Sequence, residues 1–157
     1  MEKIPMTAQG LARLEEELRT LKGSERPAVI QAIATAREHG DLSENAEYHA
    51  ARERQSFIEG RIKELEEIIS YADVIDPRKL TGDTVRFGAT VVVADEDSDE
   101  EKTYQIVGIH EADLKSGKLS IQAPLARALI GKSVGDSVEV AAPGGSRFYE
   151  VVEVRFE

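Results

Sequence analysis

Asp41 and Glu44 stand three positions apart in the run Ala36-Arg37-Glu38-His39-Gly40-Asp41-Leu42-Ser43-Glu44-Asn45-Ala46-Glu47-Tyr48. Asp-x-x-Glu at a helix start is a capping box, and acids favour the positive end of the helix dipole. The same pair on a turn between two helices offers hard-oxygen ligands. A Mg²⁺ shared with phosphates takes only one or two protein carboxylates, so two suffice to complete its coordination. Spacing alone favours the cap, and the two roles are compatible until a metal arrives. Arg37 precedes the pair and has Asp41 four residues on, close enough for a pair along the helix. Arg52 and Arg54 follow it and have no acid three or four residues away. Tyr48 could stack on a base, but it falls on an apolar seam, where packing is the stronger reading.

Other chemistry is sparse. Cysteine is absent, which removes disulfides, thiolate metal sites and thiol nucleophiles. His39, His49 and His110 are too scattered for a metal site, although His39 lies beside the acidic pair and could tune it. The acidic run from Asp95 to Glu101 superficially resembles a calcium loop. An EF-hand needs Gly at its sixth position and Glu at its twelfth; here those are Glu100 and Ile106, so a solvated hairpin turn is expected. Phosphate-binding loops, dinucleotide motifs and nucleophile elbows are missing.

The elements that position the pair can be read from periodicity. Thr7 is placed as a helix N-cap, with Met6 and Leu11 spaced as a hydrophobic staple. Leu11, Leu14, Leu18 and Leu21 then recur at coiled-coil spacing. Gly23 and Pro27 predict a kink or local break, after which Val29, Ile30, Ile33 and Ala36 continue the seam. Gly40 closes this arm as a residue just past a helix end would. A second seam follows at Tyr48, Ala51, Gln55, Ile58, Ile62, Leu65, Ile69 and Ala72. Two long seams joined by a short turn must lie antiparallel, and arms of about 30 residues reach roughly 45 Å.

The pattern changes near Asp76-Pro77. Strands are expected at 85–94, 102–109, 118–123, 137–142 and 146–157, with one short helix over 125–130 that starts at Pro124 and ends at Gly131. The fold class is therefore α+β: a helical coiled-coil hairpin over residues 1–77, its acidic tip near 40–45, then a small antiparallel β domain over 78–157. Both parts are acidic: 10 Lys+Arg face 16 Asp+Glu before residue 78, and 10 face 14 after it. With a net charge of −10 the chain is a poor non-specific binder of nucleic acid, which needs clustered cations. No run is long and apolar enough to span a membrane and the start lacks a secretory pattern, so a cytoplasmic location with no membrane partner is expected.

The run from Ala36 to Glu53 closely resembles the tip of bacterial transcript cleavage factors of the GreA/GreB family. The opening IPMT, the segment SDEEKTYQIVG, and APLARALIGK followed by PGG are similar too, so the resemblance spans nearly the whole chain. It implies a transcription elongation factor, monomeric, whose hairpin enters the secondary channel of RNA polymerase. There Asp41 and Glu44 would act as catalytic metal ligands lent to the polymerase, helping to hold a second Mg²⁺ that activates water for cleavage of backtracked RNA. The free protein would bind no metal tightly and would not itself be an enzyme. By the same resemblance Arg37 and Arg52 contact the 3′ end of the nascent RNA. The second domain resembles an FKBP-type fold and would dock on the channel rim through Ser120-Ile121-Gln122-Ala123-Pro124. Many relatives carry Ser before that proline, so Ala123 puts one hydroxyl contact in doubt. Three alternatives are weaker. A channel-plugging inhibitory paralogue conflicts with the plain Asp-x-x-Glu tip. Peptidyl-prolyl isomerisation lacks an aromatic-walled pocket, and a structural coiled-coil adaptor would need neither a fixed tip sequence nor the second domain.

Overall fold

A computed structural model describes residues 2–41 and 44–157. The chain forms two compact units, one comprising residues 1–2 and 11–72, the other residues 3–10 and 73–157. The division is not a single cut in sequence, because Lys3–Gly10 groups with the sheet residues and not with the hairpin.

In the hairpin unit, α1 (Ala8–Thr20) and α2 (Arg26–Arg37) form the first arm, and α3 (Ala46–Ser70) the second. The interruption expected at Gly23 and Pro27 is a π-helical turn, Leu21–Glu25, and not a break. Backbone angles stay helical on both sides of it, at Thr20 and at Arg26. Pro27 has no N–H and its ring crowds the carbonyl four residues back. One widened turn, in which the Arg26 N–H reaches the Leu21 carbonyl, absorbs that mismatch while the arm continues.

The seams pack as the periodicity requires. Leu14, Val29, Ile33 and Ala36 are buried on the first arm, and Ala51, Ile58, Ile62 and Leu65 on the second. Two positions depart from it. Ile30 is 52% exposed, and Ile68 is buried where Ile69 was expected, because a straight helix drifts from a strict seven-residue repeat. Ion pairs across the arms pin the register. Arg26 grips Glu59 through two hydrogen bonds of 2.8 Å, Arg61 grips Glu17 at 2.7 and 2.9 Å, and Lys22 reaches Glu66 at 2.9 Å.

The sheet unit holds five strands in the order β5-β4-β3-β7-β6: β3 (Thr90–Asp95), β4 (Glu101–Val107), β5 (Lys118–Ser120), β6 (Ser137–Val140) and β7 (Arg147–Arg155). Helix α4 (Pro124–Leu129) has Pro124 in its first turn, and Gly131 follows it at φ 85°. The expected sheet was antiparallel throughout. Here β4 and β5 run parallel, joined by residues 108–117. A second pair, β1 (Ile4–Thr7) with β2 (Ala72–Ile75), was not expected at all. The core is aliphatic: Val85, Val91, Val93, Ile106, Leu129 and Val151 are almost fully buried. Among the described residues no helix is long and apolar enough to cross a membrane.

Candidate functional site: the acidic turn of the hairpin

The turn between α2 and α3 is built by an asparagine. Asn45 is the N-cap of α3: its Oδ1 accepts the Tyr48 N–H at 3.1 Å, and its extended backbone is the usual cap conformation. Its Nδ2 donates to the Ala36 carbonyl at 2.7 Å, so one side chain caps the second arm and ties it to the end of the first. Gly40 completes the exit from α2 at φ 101°, a left-handed angle that a Cβ disfavours.

This placement bears on the capping reading of the acidic pair. Glu44 was expected in the first turn of the second helix. It lies before the cap, outside the helix, so the Asp-x-x-Glu spacing does not form a capping box. Asp41 is exposed in the turn and Glu44 is exposed beside Asn45. Among the described residues Glu44 makes no hydrogen bond or ion pair. Leu42 and Ser43, at the centre of the Asp41–Glu44 motif, lie outside the described residues.

The cations nearby are also exposed. Arg37 ends α2, and Arg52 and Arg54 lie within α3. Tyr48 is half-buried on the seam, with its ring edge-on to His49 at 5.5 Å between centroids. No group of three or more His, Cys, Asp or Glu side chains able to hold a metal occurs among the described residues. Two exposed carboxylates are a donor set that fits one or two coordination positions of a hard cation such as Mg²⁺.

In the sheet unit, Ser120 closes β5 and its hydroxyl accepts the Gln122 N–H at 3.1 Å. Ala123 is the N-cap of α4 and, as alanine, supplies no side-chain bond there. Pro124 is exposed. Ser120 and Ala123 line a shallow cleft with Leu119 and Leu114, the last 67% exposed. The run from Asp95 is a solvated turn, in which the Asp95 carboxylate accepts the Asp97 and Ser98 N–H groups. Tyr104, Tyr149 and Phe156 pack against the aliphatic core, where an aromatic-walled pocket would need them turned outward.

Comparison with known proteins finds two family models, one after the other along the chain. Residues 4–74 match the family model "Transcription elongation factor, N-terminal", and residues 80–156 match "Transcription elongation factor, GreA/GreB, C-term". The chain belongs to the GreA/GreB family of transcription elongation factors. It is 74% identical over 156 residues to transcription elongation factor GreA of Rhodospirillum rubrum, covering 99% of each chain. It is 69% identical, with the same coverage, to that of Acidiphilium cryptum. Among solved structures it is similar to a GreA/GreB factor from Nitrosomonas europaea, at 28% identity and a TM-score of 0.44, covering 98% of this chain and 100% of that one. It is also similar to GreA factor homolog 1 of Thermus thermophilus, at 27% identity and a TM-score of 0.45, covering 98% and 99%. Family membership rests on the sequence matches.

One contributor to the site, Asn45, and one contact within the sheet unit, that of Glu111, escaped the sequence reading. Asn45 carries the ordinary cap signal, a short polar side chain just before a helical seam, but the neighbouring acidic pair drew the capping assignment to itself. Glu111, whose carboxylate meets the start of α1, has no local signal, because its partner Thr7 is 104 residues away.

Proposed function

We propose that this chain docks on RNA polymerase through its sheet unit, inserts the hairpin into the secondary channel, and stimulates the polymerase's own cleavage of backtracked RNA. The observation that carries this is that Asn45 is the N-cap of α3, while Asp41 and Glu44 stand exposed before that helix begins. Asp41 and Glu44 would hold a divalent ion jointly with the polymerase, and the chemistry it would supply is activation of a water for in-line displacement at the RNA phosphate. This chain's part is to present carboxylate oxygens from a turn held in shape by Asn45 and Gly40. Arg37 and Arg52, exposed on the two arms, contribute attraction for the RNA 3′ end. The chain acts as an accessory factor in the cytoplasm and leaves the cleavage chemistry to the polymerase. Docking falls to the Ser120–Pro124 segment, where an apolar cleft and the exposed Leu114 adjoin the residues that the family resemblance singles out.

The test is a stalled, backtracked elongation complex given this protein and Mg²⁺. The expected result is shortening of the transcript from its 3′ end, with no cutting of free RNA by the protein alone. A transcript that stays intact, or stalls more deeply, would refute the proposal and favour a channel-plugging role.

A further inference from the structure

One groove of the hairpin unit lies against the π turn. It holds about 380 Å³ and is lined by Leu21 and Glu25, the first and last residues of that turn, and by Arg54, Phe57 and Ile58 of α3. Its floor belongs to the seam: Ile58 shares a core with Val29 and Ile62, and Leu21 packs against it. Phe57 stands outside that core. It is the only phenylalanine of the hairpin and, at 73% exposed, the most exposed large apolar side chain of the described residues. Roughly three helical turns separate it from the Asn45 cap, so the groove is distinct from the acidic turn.

The charges around the groove single out two residues. Glu16 and Glu17 also line it, but each is already held by an arginine, Arg19 and Arg61 respectively. Glu25 and Arg54 are different. Their side chains, one on each arm, form no hydrogen bond or ion pair within the described residues. Gly60 adds an independent sign. It lies three residues on from Phe57, a neighbour on the helix surface. A Cβ there would meet nothing within 4 Å, yet glycine weakens a helix interior relative to alanine. The chain's own packing has no use for this glycine, whereas a partner backbone lying close beside Phe57 does.

We propose that this groove grips a segment of RNA polymerase that carries an apolar side chain between a basic and an acidic one. The apolar side chain covers Phe57 and the floor, the base meets Glu25, and the acid meets Arg54. An RNA strand suits the groove less well. Its bases would stack on Phe57 and a phosphate would meet Arg54, but Glu25 would repel the backbone. The identity of the partner rests on the function proposed above; the charge and shape of the groove do not.

The experiment is competition of the full chain for RNA polymerase, with melting curves alongside. Phe57→Ala should weaken binding about fivefold, the scale of a contact that counts at an interface. Glu25→Gln and Arg54→Gln should each weaken it, by a margin that shrinks as salt rises. Gly60→Ala should raise the melting temperature and still weaken binding, which separates the groove from folding. A photo-reactive phenylalanine in place of Phe57 should crosslink to a polymerase segment of the stated chemistry. Wild-type affinity in both Phe57→Ala and Gly60→Ala overturns the proposal. So does tighter binding by Glu25→Gln together with a crosslink to RNA, which assigns the groove to nucleic acid. If the wild-type chain binds polymerase without stimulating cleavage, the proposed function falls and the affinities still decide the groove. If it stimulates cleavage and the variants bind as it does, the groove alone falls. A wild-type chain that neither binds nor stimulates cleavage overturns both.

Discussion

Asn45 and the two carboxylates beside it divide structure from chemistry within a few residues. Asn45→Ala removes a cap and the brace to Ala36 together, a loss of about 0.5–2 kcal/mol from the cap alone. The expected result is a lower melting temperature and a moderate loss of cleavage that added Mg²⁺ does not repair. Asp41→Ala and Glu44→Ala should behave in the opposite way. Both lie outside α3, so melting curves should barely move. Losing a ligand at the reacting centre should slow cleavage about a hundredfold or more, and raising Mg²⁺ should restore part of it by mass action. Cleavage rate against Mg²⁺, with melting curves for all three variants, checks this. Either acidic variant losing activity only in step with unfolding would return it to a structural role. The identity and exposure of the pair were legible in the sequence. Its position before the start of α3 was not, because Asp-x-x-Glu and Asn45 compete for the same cap and only the backbone shows which one sits at the helix boundary.

At the scale of the element, the two arms were legible because seven-residue periodicity is a strong signal, and their pairing followed from the short turn. The π turn was less so: Pro27 announces a disturbance, but whether the helix breaks or widens depends on the seam continuing to pack on both sides of it. Strand β1 and the parallel β4–β5 pair were hidden for a related reason. Each is short and takes its partner from a remote part of the chain, which no local pattern encodes. The arms also carry a pH dependence. The Arg61 side chain, bonded to Glu17, holds that carboxyl below its ordinary value of 4.5 despite partial burial, and Arg26 does the same for Glu59. A folded-state value below the unfolded one stabilises the hairpin above the unfolded pKa, and the gain is lost as pH falls through the folded value. Melting temperature should therefore be level from neutral pH to about pH 5 and decline below it. Glu17→Gln with Glu59→Gln should flatten that acid limb, and a limb unchanged in the double variant would place the titrating groups elsewhere. Helix α4 gives a second prediction at this scale. Ala123 has cap geometry, φ −64° and ψ 145°, without a cap bond. Ala123→Ser should thus add about 0.5–2 kcal/mol to this end of α4, read as a higher melting temperature of the sheet unit, and should leave polymerase affinity equal or tighter in a competition assay.

Across the whole molecule, the proposed function assigns affinity and chemistry to different units, and this separation can be tested without cutting the chain. The docking residues Ser120 and Pro124 belong to the sheet unit, which also holds Lys3–Gly10, so a fragment starting at residue 78 would lose part of the unit it is meant to isolate. The full chain with Asp41→Ala and Glu44→Ala together is the better probe. Its sheet unit, its seams and its Asn45 cap are untouched, so it should occupy the polymerase as the wild type does while supplying no ligands. Mixed with wild-type protein on a backtracked complex, it should suppress cleavage in proportion to its share of the total. Equal amounts should halve the stimulated rate at saturation, because the two chains compete for one site on equal terms. Adding Pro124→Ala to the same chain should abolish that competition, since docking is then weakened at the exposed turn that begins α4. Measuring cleavage against the ratio of the two proteins, for both competitors, decides the matter. If the double acidic variant fails to compete, the tip itself carries binding energy. If the Pro124 variant competes as strongly as its parent, the docking surface lies away from the segment ending at Pro124.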